Sequence, residues 1–330
     1  MTRLRRCGGC FAGVLVLGGC SNVQSVMAPS GTQAGQIAEL AWLLFGFGTL
    51  VLAMVMAAAW LAIGGSSRIR RLLAHEKSVV ALGIVFPSAT LTLLLGYGVW
   101  LMRSQLHIAG TGDTERIEVI GEQWWWRVAY SGADGTPVSS ANEIRVPVGR
   151  PVEFTLKAAD VIHSFWVPSL GGKVDMIPGR TTRLRLTAER PGTYRGQCAE
   201  YCGGPHALMA FEVLALPVSE YAAWLRREAA PAAAPASDIE RRGQSIFVAA
   251  GCGACHTVRG TAATGTLGPD LTHIGARRSV GIDTLPLTQA NLVRFIVDGQ
   301  HIKPANRMPE FRIFQPDQRE ALAAYLLSLK

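Results

Sequence analysis

Residues 197–209 read QCAEYCGGPHALM, and this short stretch brings together two cysteines, a histidine and a methionine. Thiolate, imidazole and thioether groups at such close spacing are typical of sites for soft metal ions. A zinc ion could use Cys198, Cys202 and His206, whereas a disulfide would need the two cysteines alone. The stretch therefore indicates metal or disulfide chemistry, and the rest of the chain has to decide between them.

The chain has 330 residues, enough for two or three domains, and its formal net charge of +8 raises the question of nucleic-acid binding. The sequence shows no basic stripe interleaved with aromatic residues, so we expect no nucleic acid among its partners. Many of the basic residues lie instead in two groups, one at the N-terminus and one between two apolar stretches. They are Arg3, Arg5, Arg6, Arg68, Arg70, Arg71 and Lys77.

The N-terminus has the pattern of an export signal. Residues 3–19 combine a basic start with the apolar run FAGVLVLGG, and Cys20 follows directly. A short apolar run that ends in Leu-Gly-Gly-Cys resembles a bacterial lipoprotein signal. We expect residues 1–19 to be removed and Cys20 to carry a lipid, which alone anchors a protein only weakly. An ordinary signal peptide with an incidental cysteine is the alternative.

Two apolar segments, residues 37–63 and 79–102, are each long enough to cross a bilayer, which takes roughly 20 residues. Buried helices of a soluble protein are the alternative, and Pro87 predicts a kink in the second segment. The loop between the segments is basic, so it should lie in the cytoplasm and both long flanks outside. The prediction for residues 20–103 is a transmembrane hairpin in a bacterial inner membrane, with the later domains on the periplasmic side.

From about residue 115 the pattern changes to short, alternating, β-branched stretches that glycine and proline interrupt. This spacing predicts an all-β Greek-key sandwich over residues 104–217. Residues 218–237 predict a closing helix followed by an exposed Pro/Ala linker. Apolar residues then recur at a period of about 3.6, which predicts an all-α domain over residues 238–330. Its predicted helices lie at residues 238–250, 288–298 and 316–329.

The segment CGACH at residues 252–256 matches the C-x-x-C-H signature of covalent c-type haem attachment. In that chemistry Cys252 and Cys255 form thioethers to the vinyl groups, and His256 binds the iron. The segment follows a predicted helix in a part of the chain that should be exported. Together these features predict a haem c in the all-α domain.

The second axial iron ligand is expected to be Met308, because it is the only methionine after residue 209 and a thioether there suits electron transfer. A core position is the alternative for Met308. His273 and His301 are rival ligands in principle; we expect His273 to be a surface or turn residue and His301 to lie in a loop. Residues 265–275, GTLGPDLTHIG, resemble the Gly-Pro-x-Leu loop of class I cytochromes c.

In the β domain, zinc fits the opening stretch poorly because it gains little from a methionine. Cysteine, histidine and methionine on a β-sandwich form the blue-copper pattern, and the segment ADVIHSFWVPSL supplies a distant histidine, His163. The second cysteine is surplus to that pattern. Two thiolates can instead bridge two copper ions, each with one histidine, and Met209 and one backbone carbonyl remain as weak ligands. Sharing one electron between two ions keeps the reorganisation on reduction small.

The C-x-E-x-C-x3-H-x2-M run, together with HSFWVPSLGGKVDMIPGR and GEQWWW, closely resembles subunit II of haem–copper cytochrome c oxidases over roughly residues 37–225. The haem domain resembles the branch of that family with a fused cytochrome c, the caa type. The resemblance implies a multidomain fold: a two-helix transmembrane hairpin, an all-β cupredoxin-like Greek-key sandwich and an all-α class I cytochrome c domain.

The resemblance also implies a role for particular residues. Trp124 matches the tryptophan at which electrons enter from cytochrome c, and Asp175 and Arg180 match contacts with subunit I. The Glu200 side chain would reach a magnesium ion at that border, with a solvated loop carboxylate as the alternative. The implied ligands of a dinuclear CuA centre are the side chains of His163, Cys198, Cys202, His206 and Met209 and the backbone carbonyl of Glu200.

For several neighbouring residues the sequence predicts a less specific role. Trp125 and Trp126 should lie in the core or at an interface, and Asp160 could bond to a neighbouring strand instead of tuning the site. In many members of the family a glutamate before the proline of the second span marks a proton-uptake route. Val80 occupies that place here, and Glu76 lies a turn further out.

As a function, the resemblance implies a subunit of a proton-pumping terminal oxidase, an enzyme whose oxygen-reducing centre lies in another chain. Electrons would pass from a donor cytochrome through haem c and CuA to subunit I, where oxygen becomes water. The implied partners are subunits I and III, cytochrome c or another respiratory donor, and membrane lipid. The alternatives are the CuA subunit of a nitric oxide reductase and a free-standing membrane-anchored electron carrier.

Overall fold

The structure is a computed structural model that describes residues 24–107, 114–132 and 135–330. The predicted signal peptide and the predicted lipid site at Cys20 lie outside these described residues. From the N-terminus onwards the described chain forms two apolar helical segments, a β-sandwich and a helical domain. This order confirms the predicted fold class.

Two helical segments, Thr32–Gly64 and Glu76–Arg103, are long and apolar enough to cross a membrane. The first is a single helix, α1 (Thr32–Gly64), and the short helix α2 (Ser67–Leu73) follows it in the basic connection. Most of the large apolar side chains in these two apolar segments are exposed, as helices that face lipid require.

The second apolar segment is built from α3 (Glu76–Val80), a π-helical turn (Ala81–Val85) and α4 (Phe86–His107). Pro87 is the second residue of α4 and lacks an N–H group for the preceding turn. The wide turn lies directly before it, and Phe86 donates its N–H to the carbonyl of Ala81. The irregularity expected at the proline therefore takes the form of a π-helical turn.

The β-sandwich consists of two sheets in the described part of the chain, with strand orders β3-β2-β1-β5-β8 and β4-β10-β9-β6-β7. The pairs β1–β5 and β4–β10 are parallel and the others are antiparallel. The chain therefore crosses between sheets, as in a Greek key. The strands are β1 (Glu115–Glu122), β2 (Trp125–Ser131), β3 (Pro137–Ala141), β4 (Glu143–Pro147), β5 (Val152–Ala158), β6 (His163–Trp166), β7 (Val174–Met176), β8 (Thr182–Leu186), β9 (Gly192–Cys198) and β10 (Ala210–Leu216).

Three aromatic rings fill the space between the sheets. The centroid of Trp126 lies 5.9 Å from that of Phe165 and 5.0 Å from that of Phe211, and the two phenylalanine rings stack at 4.5 Å. The face of Phe211 packs directly on the backbone of Gly196 in β9, where an added Cβ would overlap the ring. This aromatic layer holds β6, β9 and β10 in register.

The closing helix α5 (Val218–Ala229) packs on the sandwich. Its buried Tyr221 and Trp224 belong to the sandwich core, and Trp224 meets the ring of Tyr130 at 4.9 Å. This helix is therefore an integral part of the β domain's packing rather than a free connector.

The C-terminal domain is formed by α6 (Asp238–Ala249), α7 (Gln289–Ile302) and α8 (Pro316–Ser328), with a small hairpin of β11 (Ser279–Val280) and β12 (Leu285–Pro286). A capping box begins α6, in which Ser237 and Glu240 satisfy each other's backbone N–H groups. Helices α6 and α8 cross in close contact at Gly243, where the backbone of Ala321 fills the space that a side chain would need.

Replacing Gly243 with alanine should destabilise the crossing of α6 and α8. The added Cβ meets the carbonyl oxygen of Ala321, and such overpacking costs about 1–3 kcal/mol. Native-state hydrogen exchange should show a matching fall in the opening free energy of amides in both helices. Ser245→Ala, on the exposed face of α6, is the control and should leave exchange in α8 unchanged. Unaltered exchange in Gly243→Ala would contradict the close crossing.

Candidate copper and haem sites

The predicted metal ligands of the β domain meet at one end of the sandwich. His163 begins β6, Cys198 ends β9, and the loop that follows Cys198 returns into β10 just after Met209. Strands β6 and β9 pair with Phe165 opposite Cys198. Two antiparallel strands that are distant in sequence, β6 and β9, supply the first ligands, and the single loop after β9 supplies the rest.

The side-chain donors lie within contact distance of one another. The sulfur atoms of Cys198 and Cys202 are 3.8 Å apart, and Nδ1 of His163 lies 3.9 Å from the first of them. Nδ1 of His206 is 3.5 Å and the Met209 sulfur 3.7 Å from the Cys202 sulfur. The structure therefore brings all five predicted side-chain ligands into one cluster, with His206 at its half-exposed edge.

The two cysteines are free thiols, since their sulfur separation of 3.8 Å far exceeds that of a disulfide, about 2 Å. The hydrogen bond between the two sulfur atoms lowers the pKa of Cys198, and the same bond together with burial raises the pKa of Cys202. Two thiolates so close together and so deeply buried repel each other unless cations neutralise them. The donor set of two thiols, two imidazoles and a thioether suits copper.

Glu200 takes part through its backbone. Its carbonyl oxygen accepts a hydrogen bond from the Cys198 thiol at 3.3 Å, so it faces the cluster as the resemblance implied. The side chain of Glu200 is exposed, and its Oε1 accepts from the N–H of Tyr201 at 3.2 Å. The magnesium role of that carboxylate stays a prediction.

Asp160 fixes the orientation of His163. Nε2 of the fully buried His163 lies 2.9 Å from a carboxylate oxygen of Asp160, and in the neutral ring that donates this bond Nδ1 faces the thiols as a metal ligand would. Burial would raise the pKa of Asp160, but the hydrogen bonds from His163 and from the backbone of Gln123 and Val161 lower it. Bonding to a neighbouring segment was expected to take the place of a role at the site, whereas Asp160 bonds the backbone of Gln123 and also orients His163.

Gly121 leaves room for the same ring. A Cβ at this position of β1 would lie 2.8 Å from Cδ2 of His163, closer than real contacts allow. The glycine of the GEQWWW segment is thus explained by the close approach of the histidine.

Trp124 lies in the turn before β2, half-buried, and its ring Nε1 donates to the carbonyl of Cys202 at 2.9 Å. Gln123 donates from its side chain to the same oxygen at 2.9 Å and from its backbone to Asp160 at 2.7 Å. Gln123 was not singled out from the sequence, although it lies in the same segment as Trp124. Trp125 and Trp126 are buried in the core, as expected.

In the helical domain, His256 has the state that an iron ligand needs. Its Nδ1 donates to the carbonyl of Pro269 at 2.8 Å, which leaves Nε2 unprotonated. Burial lowers the pKa of His256, so the ring is neutral at neutral pH. Gly268 packs closely against this ring, because a Cβ added at this position would lie 2.5 Å from Cε1 of His256. Cys252 and Cys255 are free, half-buried thiols in the turn just before it. These residues fit covalent haem attachment.

Met308 is half-buried against the core of the helical domain, and its N–H donates to the side chain of Asn306 at 2.9 Å. Its role as an iron ligand stays a prediction. Of the two rival histidines, His273 lies in a turn, as one of its two expected placements had it, and it is buried, with its Nε2 3.0 Å from the carbonyl of Ala230. The loop prediction for His301 was wrong. His301 is exposed in the last turn of α7 rather than in a loop.

Asp175 and Arg180 lie on the exposed surface near the end of β7. The Pro-Gly pair before Arg180 forms a turn, in which Gly179 has a φ of 75°. Both side chains are accessible to a partner, and their contact with subunit I stays a prediction.

Comparison with known proteins agrees with this geometry. Residues 135–216 match the family described as "Cytochrome C oxidase subunit II, periplasmic domain", and residues 240–330 match "Cytochrome c". The chain is 40% identical to cytochrome c oxidase subunit 2 of Alkalihalophilus pseudofirmus, over 66% of this chain and 62% of that protein. Residues 135–216 are therefore identified as a periplasmic domain of the cytochrome c oxidase subunit II type, and residues 240–330 as a cytochrome c domain. The sandwich is the copper-binding type of domain, and the helical domain is a cytochrome c domain, so the two imply copper and haem c.

Further relatives show the same relation. Cytochrome c oxidase subunit 2 of Bacillus sp. PS3 is 32% identical, over 66% of this chain and 63% of that protein. The chain thus spans somewhat less than two thirds of the length of these relatives. The solved periplasmic domain of subunit II of cytochrome oxidase from Bradyrhizobium japonicum is 32% identical, over 36% of this chain and 95% of that one, with a TM-score of 0.34.

Replacing Asp160 with asparagine should weaken copper binding by this chain roughly 10- to 100-fold, since the amide no longer holds His163 as a carboxylate does. Copper titration of the purified, detergent-solubilised chain measures the effect. Asp175→Asn removes an exposed carboxylate nearby and is the control, with unchanged affinity expected. Equal affinities in the two variants would show that Asp160 does not support the site.

Proposed function

We propose that this chain is the electron-accepting subunit of a caa-type haem–copper terminal oxidase. It passes electrons from a donor cytochrome through haem c and a dinuclear CuA centre to subunit I, where oxygen is reduced to water and protons are pumped. The observation that carries the proposal is the cluster of two buried thiols with a histidine Nδ1 facing each of them and a thioether beside one. A mononuclear copper site would need only one of the thiols.

The residues of the cluster would hold the copper pair without rearrangement of the fold. Cys198 and Cys202 would hold the copper as thiolates, His163 and His206 would each supply an imidazole, and Met209 would supply a weak thioether ligand. When bound, the pair supplies a one-electron acceptor whose charge change is spread over two ions. Asp160 keeps His163 in the tautomer with a free Nδ1, and the aromatic layer keeps the strands that carry the ligands in place.

The cytochrome domain would bind haem c through thioethers at Cys252 and Cys255. His256 is oriented by the carbonyl of Pro269 and would bind the iron through Nε2, and Met308 would supply the second iron ligand. The haem supplies a one-electron carrier between the donor and the copper domain. Partial burial lowers the pKa of His256 and keeps its ring neutral, as iron binding requires.

Trp124 would connect the protein surface to the copper site. Its indole N–H donates to the backbone carbonyl of Cys202, one of the proposed copper ligands. A single hydrogen bond therefore connects the ring to the residue that carries the thiolate. Gln123 donates to the same oxygen and limits the movement of that loop. This supports the role of Trp124 as the residue at which electrons enter the copper domain.

The proposal includes a location and an assembly. The two apolar helices would cross a bacterial inner membrane with both later domains on the periplasmic side, and Cys20 would add a lipid anchor. Subunit I would contact Asp175, Arg180 and a magnesium ion held by Glu200, and subunit III would complete the complex. The domain limits 20–103, 104–217, 218–237 and 238–330 belong to this proposal.

The function is tested on the complex captured through this chain from native membranes. With reduced cytochrome c supplied, oxygen and nitric oxide consumption are followed side by side. We expect rapid oxygen uptake and copurification of a haem–copper subunit. Nitric oxide turnover without oxygen uptake would show that the chain is a subunit of a nitric oxide reductase. If neither gas is consumed, a free-standing electron carrier is the better account.

Two matched methionine variants test the assignment of the two metal groups. Met308→Leu should lower the haem c potential and abolish the thioether–iron absorption band, because a hydrocarbon cannot bind the iron. It should leave the copper resonance unchanged. Met209→Leu should do the reverse and alter only the copper signal. Retention of the thioether band in Met308→Leu would rule out Met308 as the ligand.

A further inference from the structure

A lysine of the cytochrome domain is buried in the copper domain. Lys303 follows the last turn of α7 and is only 2% exposed. Its Nζ donates to the backbone carbonyl of Trp124 at 2.7 Å and to that of Leu208 at 3.1 Å. Burial lowers the pKa of Lys303 to about 7, and an amine donates to carbonyls in either protonation state. Both acceptors belong to the copper domain. Trp124 bonds the carbonyl of Cys202, and Leu208 directly precedes Met209.

The segment after Lys303 continues over the same surface. Arg307 reaches the side chain of Gln123 at 3.2 Å and the carboxylate of Asp160 at 3.7 Å. Ala305 between them has a φ of 62°, a conformation that an alanine holds only when its surroundings require it. A Cβ built on Gly204 would lie 3.2 Å from the Trp124 ring and 3.5 Å from the Cβ of Ala305. Residues 303–307 therefore cover the Trp124 side of the copper domain.

A second contact lies at a different part of the interface. Glu143 of β4 is 2% exposed, and its Oε1 accepts from the backbone N–H groups of Arg278 at 2.6 Å and Ser279 at 3.3 Å. In the hairpin loop that follows, Ile282 is buried in the core of the sandwich with a φ of 66°. A β-branched residue in this region of φ is strained, so the contact itself must hold it there.

The linker side supplies a third contact. Arg259 of the cytochrome domain donates to the carbonyl of Ser139 in β3 at 3.1 Å and to that of Glu228 in α5. Its own carbonyl accepts from the N–H of Ala232 in the linker at 2.9 Å. At each of the three contacts a charged side chain of one domain bonds backbone groups of the other, so these bonds would have to break together for the domains to separate.

We propose that Lys303 is a positioning residue that locks the cytochrome domain onto the Trp124 face of the copper domain. The two domains then move as one body, and the linker does not act as a flexible tether. A separate cytochrome cannot lie on Trp124 in this arrangement, so it delivers its electron to the chain's own haem. This inference deepens the proposed electron route and rests on it.

Each transfer in this route moves one electron and no atom. The donor's ferrous haem becomes ferric as the chain's ferric haem becomes ferrous. The chain's haem returns to the ferric state as the oxidised copper pair gains the same electron. Lys303 takes no part in these transfers; it fixes the distance over which the second one occurs.

The test uses hydrogen exchange of the full chain, purified with its haem and copper. The amides of Arg278 and Ser279 are reporters, because they bond Glu143 across the interface and lie at a contact separate from that of Lys303. Lys303→Met leaves two buried carbonyls without a donor, and exchange at both reporters should rise at least about tenfold. Arg294→Met removes a positive charge from the exposed face of α7 and is the control.

Unchanged exchange at the reporters in Lys303→Met would overturn the proposal, since a purely local role could not protect amides at the second contact. Carbodiimide cross-linking of added mitochondrial cytochrome c gives a second readout. In the native chain we expect no cross-links to Glu122 or Asp160, which lie beside Trp124, and in Lys303→Met we expect them to appear. Cross-links at these carboxylates in the native chain would also overturn it.

The exchange and cross-linking readouts separate this proposal from the proposed function. If the captured complex consumes oxygen but amide exchange is unchanged in Lys303→Met, the positioning role of Lys303 is rejected and the oxidase function is retained. Raised exchange at Arg278 and Ser279 without oxygen consumption would retain the lock and reject the oxidase.

Discussion

The sulfur atoms of Cys198 and Cys202 lie 3.8 Å apart in a buried site, and the surrounding structure is arranged around that pair. As thiolates they would repel each other strongly, so they need either a shared proton or cations between them. A histidine Nδ1 faces each sulfur, one from the start of β6 and one from the loop that leads into β10. The sandwich thus provides a rigid end at which two soft cations can be held without any change of fold.

The second neighbours of the thiols explain why the site is rigid. Asp160 sets the tautomer of His163, and Gly121 gives that ring the space it occupies. On the opposite side, Trp124 and Gln123 hold the carbonyl of Cys202. A redox site benefits from such fixed ligands because little reorganisation accompanies each electron. The same hydrogen bonds connect the site to the surface through a single aromatic ring.

Much of the site was predictable because its signals are local in sequence. The spacing of Cys198 and His206 on one loop, and the C-x-x-C-H segment, define chemistry without any knowledge of distant contacts. The fold class also followed from periodicity. Lys303 gave no signal, because its partners are backbone carbonyls about a hundred residues or more away. The burial of His273 gave no signal for the same reason, since its partner is the linker carbonyl of Ala230.

The boundary between the β domain and the cytochrome domain was the least predictable feature. A Pro/Ala stretch suggests a tether, and a tether alone would raise the local concentration of the donor haem. The structure instead has α5 in the sandwich core and three groups of polar contacts across the boundary. Balanced charge on the β domain is compatible with this, because a docked partner needs no long-range steering.

The central claim is that one chain carries both redox groups and passes electrons between them. Rapid photoreduction of haem c in the purified chain, followed by absorbance of the haem and of the copper pair, tests it directly. The account predicts that the haem loses its electron as the copper pair gains one, at a rate that does not change when the protein is diluted. A rate that falls with dilution, or a copper signal that stays unaltered, would contradict it.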